Sequence, residues 1–247
     1  MNREQELAEA FVSLSDTFAD DVDPTVLLDR LTGHCVALAG ADAAGVMVTT
    51  RHGTLRIMSV SNDATALIDL VALQSGEGPC PDAFRSGQAV EAADLAQREG
   101  SWPHFVAAAR AAGYTGAYAV PLRVHEQPIG AVNVLLSSGR PFASGSLALV
   151  QALADVTAVS LVSWSPDDGR RHDILSQVQT AVSAKATLEI AKGMLAEKHR
   201  LTPAAAQRLL VAHARHRRQR PIEIAKALVD RKLDPGALAA VAPSTEH

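Results

Sequence analysis

The chain has only two cysteines, Cys35 and Cys80, in 247 residues. Two cannot build a disulfide framework, and neither stands in a His/Cys spacing that would hold a metal. Aromatic residues make up 4% of the sequence, so aliphatic side chains must fill its cores. No apolar run reaches the ~18–20 residues of a membrane span. The start, Met1 to Glu6, is charged and lacks the apolar stretch of a secretory signal. A cytoplasmic protein without a membrane partner is the simplest expectation. Also missing are a phosphate-cradling Gly-rich loop and a nucleophile beside a recognisable base. Neither catalysis nor a metal is expected.

What is present is an uneven distribution of charge. From Ile190 to Lys232 there are 11 Lys and Arg against 3 Asp and Glu, a balance of +8. The remainder holds 12 basic and 24 acidic residues, a balance of −12, and the net charge of −4 conceals the split. A basic module joined to a larger acidic one suggests an effector that meets a polyanion and a sensor that does not. The competing reading is an ordinary solvated helical surface. His199, His213 and His216 would add charge on acidification.

Hydrophobic periodicity divides the chain further. Leu7, Phe11 and Leu14 have helical spacing within 4–14, and Asp23-Pro24 caps and starts a second helix whose buried face carries Val26, Leu27, Leu31, Cys35, Val36 and Leu38. Residues 44–50 and 55–60 read as a hairpin across Arg51-His52-Gly53. Helices are expected over 64–73, 81–85 and 102–112, with a short strand at 89–92. Two longer strands, 116–122 and 129–135, flank a turn at 125–128. An apolar helix follows over 144–164. The acidic Asp20-Asp21-Asp23 is a charged turn. The fold class is α+β, an antiparallel sheet flanked by helices, with the terminal helices covering one face.

Ser165-Pro166-Asp167-Asp168-Gly169 marks a linker, because proline stops a helix and Asp-Gly favours a turn. A long helix is expected over 173–198, then two shorter ones opened by Thr202-Pro203 and Pro221. The domains are therefore 1–164, a linker at 165–169, a three-helix bundle over 170–235, and a flexible tail over 236–247.

Two stretches resemble a known family. Gly76-Glu77-Gly78-Pro79-Cys80-Pro81-Asp82-Ala83-Phe84 is the first. With Trp102-Pro103-His104-Phe105, Ala119-Val120-Pro121-Leu122 and Ile129-Gly130-Ala131-Val132-Asn133, it resembles the GAF domain of GAF–ANTAR regulators. Thr187-Leu188-Glu189-Ile190-Ala191-Lys192-Gly193-Met194-Leu195, with Leu201-Thr202-Pro203 and Ile222-Glu223-Ile224-Ala225, resembles the ANTAR domain. The pattern departs at Ala196, Gln207 and Val211, where Met, an aromatic and Arg are usual. The resemblance implies a sensor that takes a small-molecule ligand of unspecified identity, joined to a three-helix RNA-binding module. Such modules act in transcription antitermination, holding paired stem-loops that compete with a terminator. A homodimer through the terminal helices of the GAF domain and the long ANTAR helix is expected.

The candidate RNA-binding residues are Ala191, Lys192, Gly193, Arg208, Arg215, Arg217, Arg218 and Arg220. Gly193 in mid-helix costs about 1 kcal/mol relative to Ala, so it serves either close helix packing or close approach of a nucleic acid. Four arginines within six residues repel one another unless a phosphate backbone relieves them. A helix dipole accounts for one or two of them. In the sensor, Cys80, Trp102 and Phe105 are candidates for a sensing pocket or for plain core. Cys80 lies at a helix start expected from the sequence, which would lower its thiol pKa and permit redox sensing. Two alternatives to RNA stand beside this reading: a DNA-binding helix-turn-helix, and a basic domain that docks a protein.

Overall fold

The computed structural model describes residues 2–15, 24–50, 53–137, 142–163 and 174–238. The chain forms two compact units, divided between Val182 and Ser183. The acidic turn at 20–23, the Arg51-His52 turn and the linker at 165–169 lie outside the described residues.

The first unit begins with α1 (Arg3–Ser15) and α2 (Pro24–Ala39), followed by β1 (Ala43–Thr49) and β2 (Leu55–Val60). Next come α3 (Asp63–Ser75), α4 (Pro79–Ser86), β3 (Val90–Ala92), a 3-10 turn (Leu95–Arg98) and α5 (Pro103–Ala111). β4 (Gly116–Val124), β5 (Gln127–Leu136) and α6 (Ser146–Ser163) complete it. The five strands run in the order β2-β1-β5-β4-β3, and every pairing is antiparallel.

Successive side chains on a strand face opposite ways, and on the central strands β1, β5 and β4 both faces are buried. Val46, Val48, Val120, Leu122, Val132 and Val134 join the core under α1, α2 and α6. Met47, Ala117, Ala119, Ala131 and Leu135 join a second core under α3, α4 and α5. The second face is built mostly from small residues, which lets its helices approach closely. Covering both sides explains why the three central strands, β1, β5 and β4, are mostly apolar along their length rather than alternating. The β4–β5 turn is tighter than the sequence implied. The strands run on to Val124 and resume at Gln127, leaving His125 at a positive φ of 54°.

α6 is 18 residues long, with a mean hydropathy of 1.6, and could span a membrane by length and composition alone. It instead packs on β4, α2 and α1, with Val150, Leu153, Ala154, Ala158 and Leu161 in the first core.

The second unit contains α7 (Ile174–His199, continuing from before the boundary), α8 (Pro203–Arg217) and α9 (Pro221–Val229). Thr202 starts α8 as its cap: its hydroxyl accepts the Ala205 N–H at 3.2 Å. Leu188, Leu195, Leu210, Ile224 and Leu228 make the core of this unit. Leu238 belongs to it too, fully buried, although the sequence placed it in a tail beginning at 236. The reason is local: Asp234 accepts the Gly236 N–H at 2.8 Å, and His199 Nε2 donates to the Pro235 carbonyl at 2.8 Å. These bonds hold a final 3-10 turn (Pro235–Ala237) and carry Leu238 inward.

Candidate functional site

The basic surface of the second unit centres on the turn between α8 and α9. α8 ends at Arg217, and Arg218 adopts left-handed geometry (φ 53°, ψ 40°) while its N–H donates to the Arg215 carbonyl at 3.1 Å. Glycine is the usual residue there, and a side chain at positive φ carries strain. Arg220 caps α9: its N–H donates to the Glu223 carboxylate at 3.2 Å. Arg215, Arg217 and Arg218 are exposed and Arg220 is half-buried. Arg217 and Arg218 have no ion-pair partner among the described residues. The cluster thus presents two uncommitted guanidinium groups beside two further arginines on one short segment. Arg208 is exposed on α8.

α7 supplies the remaining candidates, and they separate. Gly193 is exposed, and a methyl group there would meet nothing within 4 Å. Close packing within the chain is therefore not its reason. Lys192 is mostly covered, and its Nζ pairs with Glu189 Oε1 at 2.6 Å. Ala191 is fully buried in the bundle core, which removes it from the RNA-contacting set; its small size serves packing. His213 is also buried, so it is not the surface charge expected of it. Desolvation, then Arg217 and His216, lower its pKa, and its Nε2 has no hydrogen-bond partner among the described residues.

In the first unit, the Gly76-Glu77-Gly78-Pro79 run is a docking turn. Gly78 has a φ of 110°, and a methyl group there would lie 2.9 Å from the Phe105 ring. Glu77 accepts the His104 N–H at 3.0 Å, which ties the turn to the first residues of α5. Trp102 Nε1 donates to Asp82 Oδ2 at 3.0 Å, and the other Asp82 oxygen pairs with Arg85. Arg98 stacks over the Trp102 ring at 5.1 Å.

Cys80, Trp102 and Phe105 are therefore core residues rather than the lining of an open pocket. All three are buried, and Trp102 meets Phe105 edge-on with ring centroids 5.9 Å apart. The reactive-thiol expectation for Cys80 is corrected as well. Burial, and then the charge of Asp69, push its thiol well above its ordinary value, so it is held as a neutral thiol. The charged surface cleft nearby, about 540 Å³, is lined instead by Asp82, Arg85, Glu91 and Arg98 among others.

Sequence reasoning missed a buried polar group on the same face of the sheet. Asn133 Nδ2 donates to Asp69 Oδ1 at 2.6 Å, and both side chains are buried. Burial pushes the Asp69 carboxyl up to about 7, against a lowering by the Asn133 hydrogen bond. Asp69 Oδ2 and Asn133 Oδ1 have no hydrogen-bond partner among the described residues.

The fold of the first unit is similar to that of solved GAF domains. One is the GAF domain of a phosphoenolpyruvate-protein phosphotransferase from Coxiella burnetii, with 17% identity and a TM-score of 0.53. That match covers 66% of this chain and 94% of that one. Another is the GAF domain of the Acinetobacter phosphoenolpyruvate-protein phosphotransferase, with 14% identity, a TM-score of 0.50, and coverage of 65% and 94%. At these identities the likeness concerns the fold alone. The GAF domain family model matches residues 21–162. The chain belongs to the GAF domain family. Its ANTAR domain follows at residues 176–229. No curated protein matches the chain. The GAF domain is a sensing module and the ANTAR domain an RNA-binding regulatory one, so the chain pairs a sensor with a regulatory output.

Proposed function

We propose that the chain is a signal-responsive transcription antiterminator whose ANTAR domain holds paired RNA stem-loops and so prevents a competing terminator from forming. The mechanism needs only binding energy, since each stem-loop held is unavailable to the terminator. The observation that carries this reading is the pair of exposed guanidinium groups of Arg217 and Arg218 at the α8–α9 turn, which have no ion-pair partner among the described residues. Arg215 and Arg220 stand beside them. Phosphate contacts from such a cluster position an RNA, while the shape of the stem-loop supplies selectivity.

The open surface at Gly193 supports a close approach along α7, and the loss of Ala191 from the contact set narrows the surface to Lys192, Gly193, Arg208 and the arginine cluster. Lys192 reaches a phosphate by exchanging its Glu189 partner. A small-molecule signal acts on the GAF domain. A second copy of the chain pairs through α1, α6 and α7, where Val12, Val159 and Ile190 are exposed at 66%, 57% and 53%.

α8 and α9 are joined by a turn of three residues, 218–220, which is also compatible with a helix-turn-helix on duplex DNA. A binding assay with the full chain separates the two. Labelled paired stem-loops are titrated with protein and then challenged with unlabelled duplex DNA or unlabelled stem-loops. Only the stem-loops should compete at comparable concentration. Displacement by duplex DNA as effective as by RNA overturns the antiterminator reading.

A further inference from the structure

We propose that the GAF domain contains a buried proton-binding site, Asp69 paired with Asn133 beside Gly45, whose proton seals α3 to the sheet and whose loss loosens that seam. It goes beyond the RNA-binding reading and does not rest on it.

The geometry leaves little choice of occupant. Asp69, on α3, and Asn133, on β5, are both almost wholly shielded from solvent, at 0% and 1% exposure. One bond joins them, from Asn133 Nδ2 to Asp69 Oδ1 at 2.6 Å. The remaining oxygens, Asp69 Oδ2 and Asn133 Oδ1, are both acceptors in that state, and neither has a partner among the described residues. They crowd the same place. A methyl group on Gly45, which faces Asn133 across the β1–β5 ladder, would collide with Asp69 Oδ2 and sit 2.6 Å from Asn133 Oδ1. Two unsatisfied acceptors at one spot are both satisfied by one proton on the carboxyl. Its O–H then donates to the amide oxygen and closes an acid–amide ring of two hydrogen bonds. Turning the amide over changes nothing, since one acid oxygen still faces one amide oxygen and still requires the proton.

Among the described residues the surroundings offer no buried countercharge. α3 packs against β1, β2, α4 and α5. β1 brings Gly45 and Met47, and α5 brings Phe105, Val106 and Ala109, all uncharged. α4 brings the Cys80 thiol, the titratable group coupled to Asp69. Arg56 on β2 and His104 and Arg110 on α5 are exposed, and Asp82 and Arg85 on α4 pair with each other. Burying a lone carboxylate costs several kcal/mol, so such groups take up a proton instead. Burial acts in this direction on Asp69, pushing its carboxyl up to about 7. When the proton leaves to solvent, a buried anion faces the bare Asn133 oxygen, and α3 is the element free to give.

The sign of the effect follows. An acid whose folded value exceeds its unfolded value weakens the fold as pH rises from the ordinary carboxylate range to the folded value, and the penalty is constant beyond it. Asp69→Asn mimics the neutral acid permanently, because an amide pair closes the same ring.

The test uses the full chain. Infrared difference spectra of wild type against Asp69→Asn are recorded on the acidic and alkaline sides of neutrality, with the thermal midpoint measured across the same range. The expected result is a protonated-carboxyl band that is present on the acidic side, missing in Asp69→Asn and lost on the alkaline side. The wild-type midpoint should fall through that interval relative to the variant. Absence of the band on the acidic side, its persistence on the alkaline side, or parallel midpoint profiles overturns the proposal. Should Asp69→Asn fail to fold, ¹³C-carboxyl labelling of aspartate in the wild type decides alone. A resonance titrating near neutrality sustains the site, and the absence of one removes it.

Discussion

Glu77 holds His104 by two contacts, accepting its backbone N–H at Oε2 and meeting its ring Nδ1 at Oε1, each at 3.0 Å. The pair is 27 positions apart in sequence and joins the turn before α4 to the start of α5. It gives the Gly76-Glu77-Gly78 run a structural role. Gly76 ends α3 in the left-handed region, Glu77 reaches back to α5, and Gly78 gives room for the Phe105 ring.

The His104 side-chain hydrogen bond is the main cause that lowers the Glu77 pKa, with its backbone N–H helping and desolvation opposing. A carboxylate held below its unfolded value stabilises the fold above the ordinary carboxylate range and loses that contribution as pH falls through the folded value. Glu77→Gln should therefore lower the thermal midpoint at neutral pH and narrow its gap from wild type on acidification. A gap that stays constant down to acid pH contradicts the role given to the charge.

Gly193 separates a structural cost from a functional gain. Its missing side chain leaves open space on α7, so Gly193→Ala should stabilise the ANTAR domain by about 1 kcal/mol. If RNA approaches there, the larger Gly193→Leu should weaken stem-loop binding while leaving the fold intact. Thermal unfolding reads the first effect and a binding titration the second. Unchanged affinity in Gly193→Leu would take this surface out of the interface.

Arg217 and Arg218 should act through counterions. Each phosphate contact contributes roughly 0.7–0.9 to the slope of log affinity against log salt. Replacing both with Gln should therefore make the slope shallower by about 1–2, with affinity lost similarly for different loop sequences. A steep slope retained in the double variant places the phosphates elsewhere. Sequence-selective loss would mean that these side chains read bases.

Much of the fold was legible because the chain obeys simple periods. Val46, Val48, Val132 and Val134 lie on one face of the sheet and Met47 and Leu135 on the other, as alternation requires. Thr202-Pro203 announced α8 by cap chemistry alone. The sites were less legible, since burial depends on what a distant segment covers. Asp69 sits in a helix and reads as a solvated charge, but its partner Asn133 lies 64 positions away. Ala191 and Gly193 are both small and two residues apart on α7, yet one faces the core and the other open space. Small size alone cannot distinguish these roles. Cys80 stands at a helix start, where a thiolate would be favoured, but the helix is sunk against the sheet and burial outweighs the dipole.

His213 provides a pH test confined to the ANTAR domain. It is 8% exposed, and its Nε2 lacks a partner among the described residues. Burial lowers its pKa, with Arg217 and His216 adding to the effect, so the folded domain holds the ring neutral. The unfolded chain takes up the proton first, near the ordinary histidine value of about 6.5. Stability contributed by the neutral ring is complete above that value and is lost as pH falls towards the folded one. His213→Leu fills the site without a titratable group or an orphaned nitrogen. It should unfold no earlier than wild type at neutral pH and should flatten the decline just below pH ~6.5. Guanidinium melts of the two proteins on either side of that value make the comparison, and the same acid-side loss in both would show that another group is responsible.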